Sequence, residues 1–166
     1  MPVTSMGDHS WRTTVSTRTR QSSVALVMAA SILLVSSFAT EAGDKGKKLS
    51  PAVGKIALKD GKGEVKGKLE VSDPKDASRE ECYCKIYTIK LEAGKTYQLD
   101  CKSDWDNWLR IEDAKGKQLA EDDDSGGGTD AQIVFDCKTA GEYRVIVTSF
   151  DAAATGDFTV TVATKK

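Results

Sequence analysis

The sequence predicts a single all-β domain, a jelly-roll-like antiparallel β-sandwich of about eight strands. Beyond residue 66 it runs in short segments that alternate apolar and polar residues, with Gly, Pro and Asp clusters between them. No segment sustains a helical period, and the segments recur about every ten to fourteen residues, as in sandwiches. The chain that remains after the amino-terminal segment, about 124 residues, is enough for one core and too short for two.

Residues 1–42 read as a secretory signal peptide. Arg12, Arg18 and Arg20 form a basic stretch ahead of the apolar run Val24-Ala-Leu-Val-Met-Ala-Ala-Ser-Ile-Leu-Leu-Val35. A spanning helix needs about 20 apolar residues, so a run this short fits a cleaved segment, with cleavage near Ala39 or Ala42. A secreted or periplasmic protein with no membrane span in its mature form is expected. Residues 43–66 are Lys- and Gly-rich with scattered Leu49, Val53, Ile56 and Leu58, and read as a flexible leader.

The domain is expected over residues 67–163. Gly67-Lys-Leu-Glu-Val71 is the first strand, ended by Ser72-Asp-Pro74, and Pro74 to Arg79 holds at most a helical turn. Tyr83 to Leu91 alternates, and Glu92-Ala-Gly94 turns it into Lys95-Thr-Tyr-Gln-Leu-Asp-Cys101. Trp108-Leu-Arg-Ile-Glu112 puts Leu109 and Ile111 on one face, and Asp113-Ala-Lys-Gly116 leads as a hairpin loop into Lys117 to Glu121. Asp130 to Cys137, Glu142 to Thr148 and Gly156 to Val162 complete the set. Leu69, Val71, Ile86, Ile89 or its neighbours, Tyr97, Leu99, Leu119, Ile133, Phe135, Tyr143, Val145, Val147, Phe158 and Val160 join Leu109 and Ile111 in the expected core.

Composition excludes much chemistry. The one histidine, His9, falls in the signal peptide, which removes Ser-His-Asp and Cys-His nucleophiles, His-ligated zinc and a His acid or base. The net charge of the remaining chain, about −2, gives no reason to expect nucleic acid as a partner.

Over about Gly67 to Val162 the chain resembles the bacterial pre-peptidase C-terminal domain family. The resemblance rests on Ser72-Asp-Pro74, Tyr87-Thr-Ile-Lys-Leu-Glu-Ala-Gly-Lys-Thr-Tyr97, Ser103-Asp-Trp-Asp-Asn-Trp-Leu-Arg-Ile111, Asp113-Ala-Lys-Gly-Lys-Gln-Leu-Ala-Glu-Asp-Asp-Asp124, Gly141-Glu-Tyr-Arg-Val-Ile-Val-Thr148 and Thr155-Gly-Asp-Phe-Thr-Val160, in that order. It implies a sandwich appended to secreted peptidases and surface proteins, serving secretion, binding or adhesion rather than hydrolysis. No peptidase domain accompanies it in this sequence.

The acidic run Glu121-Asp-Asp-Asp124 precedes Ser125-Gly-Gly-Gly-Thr-Asp130. Pairing Ile111 with Leu119 would set Asp106 opposite Asp124 and Asn107 opposite Asp123, with Asp104 just beyond. Facing carboxylates repel, and hard oxygens beside a flexible loop suit Ca²⁺, which takes about six to eight of them. Asp104, Asp106, Asp122, Asp123, Asp124 and Asp130 are therefore candidate Ca²⁺ ligands, and a solvated acidic loop without metal is the alternative. A glycosidase-like carboxylate pair is a further possibility that needs a cleft. Trp105 and Trp108 flank Asp106 and are candidate ligand-contacting residues; alternation sends Trp108 outward.

Cys82, Cys84, Cys101 and Cys137 are even in number, which in an exported chain predicts two disulfides. Either Cys82 and Cys84 each bond one of Cys101 and Cys137, or Cys101 bonds Cys137 and the other two pair; alternation does not choose. The functional expectation is a secreted, non-catalytic, monomeric binding or structural module for an extracellular protein or polysaccharide. An accessory or inhibitory protein acting on a secreted peptidase is the runner-up, and a carboxylate-based hydrolase comes third.

Overall fold

A computed structural model describes residues 49–165. The expected signal peptide and its cleavage sites lie outside the described residues, as does the start of the leader. Nine strands follow one another: β1 Gly54–Ile56, β2 Lys62–Leu69, β3 Cys84–Leu91, β4 Lys95–Ser103, β5 Asn107–Asp113, β6 Gln118–Asp122, β7 Gln132–Cys137, β8 Gly141–Ser149 and β9 Gly156–Lys165. Among the described residues no helix is long and apolar enough to cross a membrane.

The strands form two sheets, ordered β1-β3-β8-β5-β6 and β2-β9-β4-β7. Only β1 joins its neighbour in parallel; the other pairings are antiparallel. Period-two alternation turns Tyr87, Ile89, Leu109, Ile111, Val145 and Val147 of the first sheet onto Leu69, Tyr97, Leu99, Ile133, Val160 and Val162 of the second, and these make one buried core. The fold is thus the β-sandwich expected.

The leader is a correction. Lys59-Asp-Gly-Lys62 is a tight two-residue hairpin, Asp60 and Gly61 having φ of 52° and 74°, with Lys59 and Lys62 exchanging both backbone hydrogen bonds. It leads into β2, whose inward positions are Gly63, Val65, Gly67 and Leu69. A Cβ on Gly67 would lie 2.5 Å from Phe158 and from the Tyr87 hydroxyl. Glycine is therefore what lets β2 close on the sandwich, and a strand with glycines facing inward does not look apolar in sequence.

Three expected core residues lie elsewhere. Val71 falls beyond the end of β2 and is 74% exposed, and Leu119 is 40% exposed. Ile86 lies on the far face of its sheet, where it packs with Cys84 and Ile146 in a separate buried cluster.

Candidate functional site

Four connections meet at one end of the sandwich: β2–β3, β4–β5, β6–β7 and β8–β9. Asn107, fully buried, ties two of them. Its Nδ2 donates to Ser103 Oγ (2.8 Å) and to the Thr129 carbonyl (3.1 Å), and its Oδ1 accepts from the Ala131 amide (3.0 Å). The Phe150 amide donates to the Asp106 carbonyl, and Ala153 donates to the Glu81 carbonyl.

On this end Trp108 and Phe150 lie with ring centroids 6.0 Å apart and planes 21° from parallel. The Arg79 guanidinium sits 4.3 Å from the Trp108 ring centre and 5.4 Å from that of Phe150. Its Nε and Nη2 donate to the carbonyls of Ser149 and Phe150. Trp108 Nε1 donates to Glu121. Phe150 is 47% exposed, so the cluster offers an aromatic surface to solvent, and Trp108 faces outward as alternation requires.

The register that positions the acidic run is displaced by one residue from the expected one. Ile111 pairs with Ala120 and Leu109 with Asp122, with a bulge between Ile111 and Glu112. The extra residue of a bulge is what an alternation pattern cannot show. The displacement turns Asp122 toward its own loop: Oδ2 accepts from the amides of Ser125 and Gln132, and Oδ1 from the Ser125 hydroxyl. Asp130 faces β4, accepting from the Ser103 amide and pairing with Lys102 at 2.9 Å. Asp104 lines a groove beside Lys66, Lys102 and Asp157.

Asp106, Asp123 and Asp124 remain as a group, joined by Asp151, which the sequence reading did not single out. Burial pushes the Asp106 carboxyl above its ordinary value; the charges of Asp124, Asp151 and Asp123 push the same way, and Arg79 opposes them. Its Oδ1 is buried without a hydrogen-bond partner. The six candidate Ca²⁺ ligands are thus not gathered, and among the described residues no group of three or more His, Cys, Asp or Glu is placed to hold a metal ion. With both oxygens committed to hydrogen bonds, Asp122 does not pair with Asp106 as an acid and base.

Trp105 is a packing residue. Its ring meets Phe158 edge-on at 6.5 Å, and its Nε1 donates to the Asp157 carbonyl (3.1 Å).

The cysteines also correct the expectation, since all four are free and buried. Lys95 pairs with Cys137, and Cys101 lies six residues further along β4, about 20 Å at the strand rise. Cys84 faces away from the core that holds Cys101, and Cys82 Sγ points at the Asp151 carbonyl. Desolvation pushes the Cys84 and Cys101 thiols each up to about 12, which makes them small apolar fillers rather than nucleophiles.

The outer face of the five-stranded sheet carries a buried ionic network. Arg110 bonds Asp76 through Nη2 (2.8 Å) and Glu112 through Nε (3.0 Å), and Arg144 Nε reaches Glu112 (3.3 Å). Burial alone would lower the Arg110 guanidinium, but hydrogen bonds and charges from Asp76 and Glu112 more than offset it and hold it above its ordinary value. Sequence reasoning missed this network because Arg110, Glu112 and Arg144 occupy outward positions, and nothing local shows that the Pro74–Cys82 loop and the Leu49–Val53 segment roof them.

No family model matches the chain, and no curated protein matches it. Among solved structures it is similar to a periplasmic inhibitor of g-type lysozyme from Aeromonas hydrophila, at 14% identity and a TM-score of 0.49, covering 67% of this chain and 94% of that one. It is also similar to the pre-peptidase C-terminal domain of a collagenase from Bacillus anthracis, at 16% identity and a TM-score of 0.49, covering 69% of this chain and 98% of that one.

Proposed function

We propose that the chain is an exported, non-catalytic binding module that meets an extracellular protein or polysaccharide through the loop end holding Arg79, Trp108 and Phe150. The observation that carries the reading is the half-exposed Trp108–Phe150 stack with Arg79 over it, beside the carboxylates of Asp106, Asp123 and Asp124. Aromatic rings held rigid by neighbours present contact area at low entropic cost, and carboxylates around them add hydrogen-bond acceptors for hydroxyl or ammonium groups. The Asp106 group has no His partner, and Asp122 is committed to its own loop, so we read this end as one for recognition rather than hydrolysis. An accessory or inhibitory role toward a secreted peptidase is the protein-binding form of the same reading.

The test immobilises the chain and measures retention of a panel of secreted peptidases and of cell-wall polysaccharides. Retention of one member that is lost in Trp108→Ala and Phe150→Ala, while Trp105→Phe binds normally, supports the reading. Equal retention by all variants, or turnover of a retained polysaccharide by the wild type, overturns it.

A further inference from the structure

The ionic network on the outer sheet face leaves one donor over. Arg110 is 2% exposed, and its Nε and Nη2 are bonded to Glu112 and Asp76. Its Nη1 is buried with no hydrogen-bond partner among the described residues. An unmade hydrogen bond on a buried charged group costs free energy, and native folds rarely leave one. Arg110 lines a cavity of about 20 Å³ with Ser50, Asp76, Cys84, Glu112 and Arg144. About 10 to 15 Å³ holds one water.

The chemistry around the cavity narrows the occupant. A cation is excluded by the donor that faces it. Two guanidiniums, Arg110 and Arg144, are matched by two carboxylates, Asp76 and Glu112, so no excess positive charge calls for an anion. The neighbouring Cys84 thiol reads the same field: after burial, the charges of Asp76, Asp73 and Glu112 push it up against Arg110 alone. A neutral molecule is required that accepts from a guanidinium and donates to carboxylates, at the size of one heavy atom.

We propose that this cavity is a binding site for a single water molecule, which accepts from Arg110 Nη1 and donates to the Asp76 and Glu112 carboxylates, both of which keep free lone pairs. The site lies beneath the amino-terminal strap, where Arg144 Nη2 donates to the Ser50 carbonyl (3.0 Å) and Val53 donates to the Ile86 carbonyl (2.8 Å).

A crystal structure at near-atomic resolution, with a second crystal soaked in bromide, tests the site. The expected result is one spherical peak within about 2.7 to 3.2 Å of Nη1, with no anomalous signal after the soak. A protein acceptor on Nη1, a dry cavity or a bromide peak there would each overturn the proposal.

Discussion

Asp76 holds Arg110 with one oxygen and the start of the Arg79 turn with the other. Its Oδ2 lies 2.8 Å from Arg110 Nη2, while Oδ1 accepts from the amides of Ser78 and Arg79. Both side chains of the ion pair are sealed from solvent. One buried carboxylate thereby links the ionic network under the strap to the residue that lies over Trp108.

Removing one partner of such a pair leaves the other charge buried and unpaired, which costs about 3 to 5 kcal/mol. Asp76→Ala is expected to lose that much in urea unfolding. Asp76→Ala combined with Arg110→Met should lose clearly less than the sum of the single variants, since the orphaned charge has gone too. Additive losses would mean that the two residues are not coupled.

Asn107 gives a second prediction. Asn107→Ala leaves the buried Ala131 amide without its side-chain partner and unties the Ser103 hydroxyl and the Thr129 carbonyl from it, for a loss of about 1 to 3 kcal/mol. The β4–β5 and β6–β7 connections should also exchange their amide hydrogens faster, because that side chain is what joins them. Unchanged exchange at Ala131 would count against the assignment.

Asp106 sets a pH dependence. Its carboxyl is raised above the ordinary value of 3.8 by burial and by Asp124, Asp151 and Asp123. A raised carboxyl binds its proton more tightly in the fold than in the unfolded chain. Stability therefore falls as pH rises from 3.8 through the folded value, and the penalty is complete above it. Asp106→Asn should accordingly melt higher than the wild type at pH 7, with the difference gone near pH 3 and reduced by salt, which screens the carboxylate repulsion. A variant that melts lower than the wild type at pH 7 would contradict this account.

The legible parts of the fold were those that alternation controls. Leu109 and Ile111 inward, Trp108 outward, and the strands from Cys84 to Lys165 follow from period two. Only the end of β2, from Gly67, was legible; its first five residues were hidden because Gly63 and Gly67 occupy inward positions and a Lys-Gly stretch reads as solvated, although Asp60-Gly61 already carried the hairpin signal. The acidic edge was read one residue out of register because the bulge after Ile111 leaves no local mark. Arg110 and Glu112 were correctly outward, but outward is solvent only if nothing folds over it, and the Pro74–Cys82 roof is a long-range fact.

Calcium is expected to leave the melting midpoint unchanged up to millimolar concentration, measured against EGTA. Asp122 and Asp130 spend their oxygens on Ser125, Gln132, Ser103 and Lys102, and among the described residues no three carboxylates are placed to share one ion, whereas Ca²⁺ takes about six to eight oxygens. Binding to the native state alone must raise the midpoint. A saturable rise lost in Asp106→Ala would establish a metal site at this edge.

The four thiols make the last prediction. Cys101 and Cys137 occupy opposite ends of the β4–β7 pair, and Cys84 and Cys101 face different clusters, so bonding any of these pairs requires unfolding first. With Cys84 and Cys101 pushed up to about 12, their thiolate fraction at neutral pH is negligible, and alkylation has to wait for the chain to open. The purified protein should take up no iodoacetamide label in its native state and four labels in guanidinium without reductant. Labelling in guanidinium that appears only after reduction would show that the cysteines are paired, and the arrangement of β4, β7 and β3 would have to differ.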